Sequence, residues 1–127
     1  MKKILIVSGD YYKDITKGLL NSALKKLPKN FKVKIIKVPG VFEIPVTISK
    51  NIKKFDAFIA LGCVIKGQTP HFDFISSATT NAIIEISIKY KKPVGNGIIT
   101  CLNFKQAVKR KLKGKEAAEA VLSILSQ

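Results

Sequence analysis

Apolar residues in this chain recur with two periods that alternate along its length. Lys3 to Val7 is a nearly continuous apolar run, the pattern of a strand buried on both faces. Ile15, Leu19, Leu20, Ala23, Leu24 and Leu27 then recur at helical spacing, with Lys17, Lys25 and Lys26 off the stripe. Phe31 to Val38 alternates as a second strand, which Pro39-Gly40 stops. Ile44, Ile48 and Ile52 predict a helix with Pro45 tolerated in its first turn. Ala57 to Ile65 is the strongest buried-strand signal. Lys66 to Pro70 reads as a loop, and Asp73 to Tyr90 as a long helix with Ile75, Ala78, Thr79, Ala82, Ile83 and Ile86 on one face. Val94 to Thr100 is a fourth strand, broken by Gly95-Asn96-Gly97. Asn103 to Lys111 and Lys115 to Leu125 read as helical, with an interruption at Gly114.

Strand and helix in alternation predict an α/β fold: a flavodoxin-like three-layer sandwich, with a four-stranded parallel sheet and helices on both faces. One domain over residues 1–127 is expected. Open sheets of this kind bind ligands beyond the carboxyl ends of their strands. The segments to watch are therefore Ser8 to Tyr12, Pro39 to Glu43, Gly62 to Phe72 and Thr100 to Asn103.

Composition narrows the class. With 127 residues and 46% hydrophobic content the chain can bury a core without disulfides, which excludes a disordered chain. No apolar run is long enough to cross a membrane, and the amino-terminal run is too short for a signal peptide, so a cytoplasmic protein is expected. Net charge is +15, with 23 basic residues of which only Arg110 is an arginine. The lysines are dispersed and form no tail. They reflect either a compositional bias or a field that attracts an anionic partner. Cys63 and Cys101 lack metal-ligand spacing and read as buried thiols. No metal and no cofactor is expected.

Several residues in the watched segments carry possible chemistry. His71, the only histidine, follows the third strand and can exchange protons near neutral pH. A surface or capping histidine is the plainer alternative. Gly67, Gln68 and Thr69 precede a helix, a setting for an anion site or for an ordinary cap by Thr69. The loop matches neither a P-loop nor a dinucleotide fingerprint. Arg110 has a planar guanidinium that grips phosphate as lysine cannot, although a single arginine also arises by chance. Glu43 lies in a first helical turn, where it favours the helix dipole or accepts from a polar ligand. Tyr11 and Tyr12 follow the first strand, where a ring either packs or stacks on a flat heterocycle.

Taken together, these segments resemble the lumazine synthase family over nearly the whole chain. The resemblance is carried by Ala60-Leu61-Gly62-Cys63-Val64-Ile65-Lys66-Gly67-Gln68-Thr69-Pro70-His71-Phe72-Asp73 and by Val38-Pro39-Gly40-Val41-Phe42-Glu43-Ile44-Pro45. Asn103-Phe104-Lys105-Gln106-Ala107, Arg110 and Lys113-Gly114-Lys115-Glu116-Ala117-Ala118 complete it. It implies a cofactor-free condensation of 5-amino-6-(ribitylamino)uracil with 3,4-dihydroxy-2-butanone 4-phosphate, giving 6,7-dimethyl-8-ribityllumazine and phosphate in riboflavin biosynthesis. It implies that Tyr11 stacks on the pyrimidine and that Val41, Phe42 and Glu43 hold the ribityl chain and ring edge. Cys63, Val64 and Ile65 would line the pocket, and Gln68, Thr69 and Arg110 would bind phosphate. His71 would shuttle protons, and Lys113 would sit near the substrate. Asn96 stands where the family commonly places an aromatic ring that reaches into the adjacent subunit. The family's pentamers, some packed into sixty-subunit shells, imply a homo-oligomer with sites between subunits. Many members carry an amino-terminal arm that joins a neighbour's sheet; here the first strand is expected to begin almost at once.

Three other readings compete. An archaeal-type riboflavin synthase would join two lumazines on a similar fold, and the Gly-Gln-Thr-Pro-His-Phe segment argues against it. An inactive shell-forming relative is a second. A basic nucleic-acid binder would need clustered cations with interleaved aromatics, which the dispersed lysines do not provide, so no nucleic-acid or membrane partner is expected.

Overall fold

The computed structural model describes all residues, 1–127. Four strands form one parallel sheet: β1 (Lys3–Gly9), β2 (Lys32–Val38), β3 (Ala57–Ile65) and β4 (Val94–Cys101), in the order β2-β1-β3-β4. The helices are α1 (Lys13–Lys26), α2 (Ile44–Lys50), α3 (His71–Tyr90), α4 (Phe104–Lys109) and α5 (Lys113–Leu125). A 3₁₀ turn, Val41–Glu43, leads into α2. No helix is long and apolar enough to cross a membrane. The flavodoxin-like order and the layers are as the alternating periods predict.

Two cores follow from the strand period of two. Ile4, Ile6, Ile59, Leu61 and Ile99 face α1 and α5, where they meet Ile15, Leu19, Ala117, Ala118 and Val121. Leu5, Val7, Phe58 and Ala60 face the other way, toward Ile44 and Ile48 of α2 and Ile83 of α3. Residues Ile4 to Val7 are all fully buried, because β1 is covered on both sides. Each such side chain contributes about 1.5–3 kcal/mol by leaving water. Truncating Ile59 to alanine would therefore cost about 2–5 kcal/mol, since a void would replace it.

Two interruptions expected from glycine are absent, and the reason is close packing. β4 runs unbroken through Gly95-Asn96-Gly97. A Cβ at Gly95 would run into the Ala117 carbonyl, so glycine there lets α5 lie on the strand. Gly114 is likewise inside α5, where a Cβ would meet the Leu19 carbonyl of α1. The actual break between the last two helices falls at Arg110–Leu112. The long helix begins at His71 rather than Asp73. Pro70, not Thr69, is its N-cap, with no side-chain cap bond. The Thr69 hydroxyl is 3.5 Å from the His71 amide, at the limit of a hydrogen bond.

Candidate active site

The sheet order fixes where a site belongs. From β1 the chain crosses to β2 on one side, then returns to β3 on the other. The connections therefore diverge between β1 and β3 and leave a crevice at the carboxyl ends of these strands. A cavity of about 640 Å³ lies there, within the usual span for small-molecule sites, roughly 300–1,000 Å³.

Each wall comes from a strand end. The turn after β1 supplies Tyr11 and Tyr12, and the turn after β2 supplies Gly40, Val41 and Phe42. The end of β3 supplies Cys63, Val64 and Ile65. The first turns of α3 supply His71, Phe74, Ile75 and Ala78. The lining is mostly apolar, yet three of its rings face solvent: Tyr11 is 75% exposed, Phe42 69% and Phe74 68%. Large exposed rings gathered around one cavity mark a binding surface rather than a core.

The charges in the cavity are few. Burial pushes the Cys63 thiol up to about 12, helped by the charge and hydrogen bond of the neighbouring Cys101 thiol. Burial also raises the Tyr12 hydroxyl, as do the adjoining Tyr11 and Cys63. A thiol so shifted stays protonated at neutral pH and is no nucleophile, because only the thiolate attacks. The chain's only imidazole, that of His71, lies exposed at the first position of α3.

Seven of the residues singled out in the sequence therefore meet in one cavity: Tyr11, Val41, Phe42, Cys63, Val64, Ile65 and His71. The other six lie outside its lining. Glu43 turns back, and its Oε1 accepts from the Gly40 amide at 3.0 Å. Gln68 and Thr69 sit exposed in the loop before α3. Asn96 is midway along β4, an edge strand, and its Oδ1 accepts from the Ile98 amide at 3.0 Å. Lys113 opens α5 and pairs with Glu116 at 3.7 Å, the only ion pair in the structure. Arg110 ends α4, with Nη1 donating to the Thr100 carbonyl at 3.1 Å and lying 3.9 Å from the Cys101 sulfur. Its helix is set by Asn103, which accepts from the Gln106 amide at 2.9 Å, while Gln106 accepts from the Leu102 amide at 2.8 Å.

Sequence reasoning did not name Gly40, Phe74, Ile75 or Ala78 as site residues: Ile75 and Ala78 were read only as a helix face, while Tyr12 was read with Tyr11 as a ring that packs or stacks. The exposed Phe74 beside His71 was the available signal, since an aromatic off the buried stripe needs a partner.

The profile of the 6,7-dimethyl-8-ribityllumazine synthase family matches residues 1–127. Among similar proteins, the 6,7-dimethyl-8-ribityllumazine synthase of Cutibacterium acnes is 37% identical over 133 aligned positions, covering 98% of this chain and 80% of the relative. The enzyme of the same name from Aliarcobacter butzleri is 36% identical, covering 98% and 85%. That of Campylobacter curvus is 37% identical, covering 98% and 87%. With a profile match from end to end and relatives aligned along most of their own length, the chain belongs to the 6,7-dimethyl-8-ribityllumazine synthase family.

Proposed function

We propose that the cavity between the ends of β1 and β3 is where this transferase of riboflavin biosynthesis assembles 6,7-dimethyl-8-ribityllumazine. The observation that carries this is the meeting, at the sheet's divergence point, of an apolar cavity, three exposed rings and the chain's only imidazole. The flat pyrimidine of 5-amino-6-(ribitylamino)uracil stacks on Tyr11. Val41 and Phe42 hold its ring edge and ribityl chain, with Glu43 fixing the turn that carries them. Cys63, Val64 and Ile65 form the apolar floor.

The chemistry asks for positioning and proton transfer. The uracil's amine attacks the ketone of 3,4-dihydroxy-2-butanone 4-phosphate, and an imine forms with loss of water. Phosphate then leaves, and the ring closes with loss of a second water. Holding two reactants in register contributes about 7–11 kcal/mol to such a step. His71 moves the protons, a contribution of about 10²–10⁴-fold.

The phosphate needs cations, and the lining of a single chain supplies none. We assign this role to Arg110 with Gln68 and Thr69, Arg110 being brought to the cavity of a neighbouring copy in a pentamer or larger shell, with Lys113 and Asn96 near the same boundary. Support comes from the position of Arg110 beyond the cavity lining and from the exposed rings at its mouth. Incubating the protein with both substrates tests the assignment: product absorbance should appear together with one phosphate per turn. A folded protein that forms neither would refute it.

A further inference from the structure

The turn that presents Tyr11 and Tyr12 to the cavity departs from a local rule. Tyr12 is the N-cap of α1 and makes no side-chain cap bond, although Ser, Thr, Asp or Asn is strongly preferred there. A residue of the preferred type stands two positions earlier, as Asp10, and is used differently. Its Oδ1 accepts from the Ser8 hydroxyl at 2.8 Å and lies 3.3 Å from that of Thr16. Its amide donates to the Val38 carbonyl at 2.9 Å, which ties the end of β1 to the end of β2. Thr16 has one proton and two nearer acceptors, the carbonyls of Tyr12 at 3.2 Å and Lys13 at 3.1 Å. The Ser8 bond is therefore the firm one. Ser8 is buried, and a buried hydroxyl requires an acceptor, so Ser8 and Asp10 hold each other. Immediately beyond this clasp come the two rings, edge to face at 4.9 Å and 80°. Tyr11 is so exposed that its own packing does not fix it, and the backbone turn must.

We propose that Asp10 is a positioning residue: by clasping Ser8 with its carboxylate, beside the backbone bond that ties the same turn to β2, it sets the Tyr11–Tyr12 turn, and thereby the affinity for the flat, uracil-bearing substrate. This rests on the assignment of the cavity to that substrate. Asp10 touches neither reactant and carries no step of the reaction. Removing the clasp therefore loosens the binding of one substrate while leaving the other substrate and the turnover rate nearly unchanged.

Steady-state kinetics of the assembled protein tests this. Asp10→Ala should raise the KM for the uracil about fivefold, within the range set by the net worth of one ordinary hydrogen bond. The KM for the phosphorylated substrate and kcat should stay within about twofold. Asp10→Asn keeps the accepting oxygen and should restore the uracil KM. A general loss of structure would move both KM values and kcat together, and that pattern, like an unchanged uracil KM, overturns the proposal. Should Asp10→Ala fail to fold, Ser8→Ala carries the test, with a smaller rise in the same KM expected and no rise overturning it. Tyr11→Ala separates this from the underlying assignment. If it leaves the uracil KM unchanged, the cavity assignment falls. If it raises that KM while Asp10→Ala does not, only the role of Asp10 falls.

Discussion

The carboxylate of Glu43 accepts a hydrogen bond from the Gly40 amide at 3.0 Å, closing the turn that holds Val41 and Phe42 at the cavity wall. Glu43 is thus occupied by its own backbone. Its substitution should act first through stability, because the turn loses its brace. Glu43→Ala should cost about 1 kcal/mol and lower Tm by about 3–5 °C. Glu43→Gln retains the acceptor and should lose less than half of that. Thermal melts of the two variants check this, and equal losses would contradict the brace.

The Cys63 thiol should resist alkylation. With a pKa of about 12, its thiolate fraction at pH 8 is lower than that of an ordinary cysteine by roughly a thousandfold. Mass spectrometry after iodoacetamide treatment should find it unmodified in the native protein and labelled after denaturation. The sign for stability follows from the same shift. The folded pKa lies above the ordinary 9.0, so this contribution is complete below pH 9 and is lost as the pH rises from 9 to about 12. Tm should fall across that window, and fall less steeply in Cys63→Ala.

Lys91 follows α3 with φ 54° and ψ 41°, the only non-glycine residue at positive φ. Its Cβ makes this left-handed conformation cost about 1 kcal/mol or more. Lys91→Gly should therefore stabilise the protein by about 0.5–1 kcal/mol, after the entropy of the freer unfolded chain is deducted. Chemical denaturation would read this directly, and a loss of stability would show that the lysine side chain supplies a compensating contact.

His71→Ala should lower kcat by about 10²–10⁴-fold and leave some turnover, since positioning survives the loss of the proton relay. Abolition of all turnover in a variant shown to be folded would mean that His71 does more than transfer protons.

The sheet and its layers were legible because the two periods are unambiguous: Ile4 to Val7 and Ala57 to Ile65 have one reading as strands, and Ile15, Leu19 and Ala23 one reading as a helix face. Glycine misled, because Gly95 and Gly114 break a pattern on paper while in space they admit the Ala117 and Leu19 carbonyls. The cavity walls were legible wherever a residue sits at a strand's carboxyl end, as Tyr11, Val41 and Cys63 do. What sequence spacing cannot encode is which side chains turn away. Glu43 lies beside Phe42 yet bonds Gly40, and Arg110 lies near the same sheet edge yet rests on the Thr100 carbonyl. Both outcomes depend on local hydrogen-bond accounting that periodicity does not contain.

We propose that His71 of one copy and Arg110 of the next complete a single site. Mixed assemblies of His71→Ala and Arg110→Ala chains test it most directly, because random neighbours rebuild an intact site at about one boundary in four. Co-assembled chains should recover up to about a quarter of the wild-type rate per site, well above either variant alone. Mixed assemblies no more active than the two variants assembled separately would contradict it.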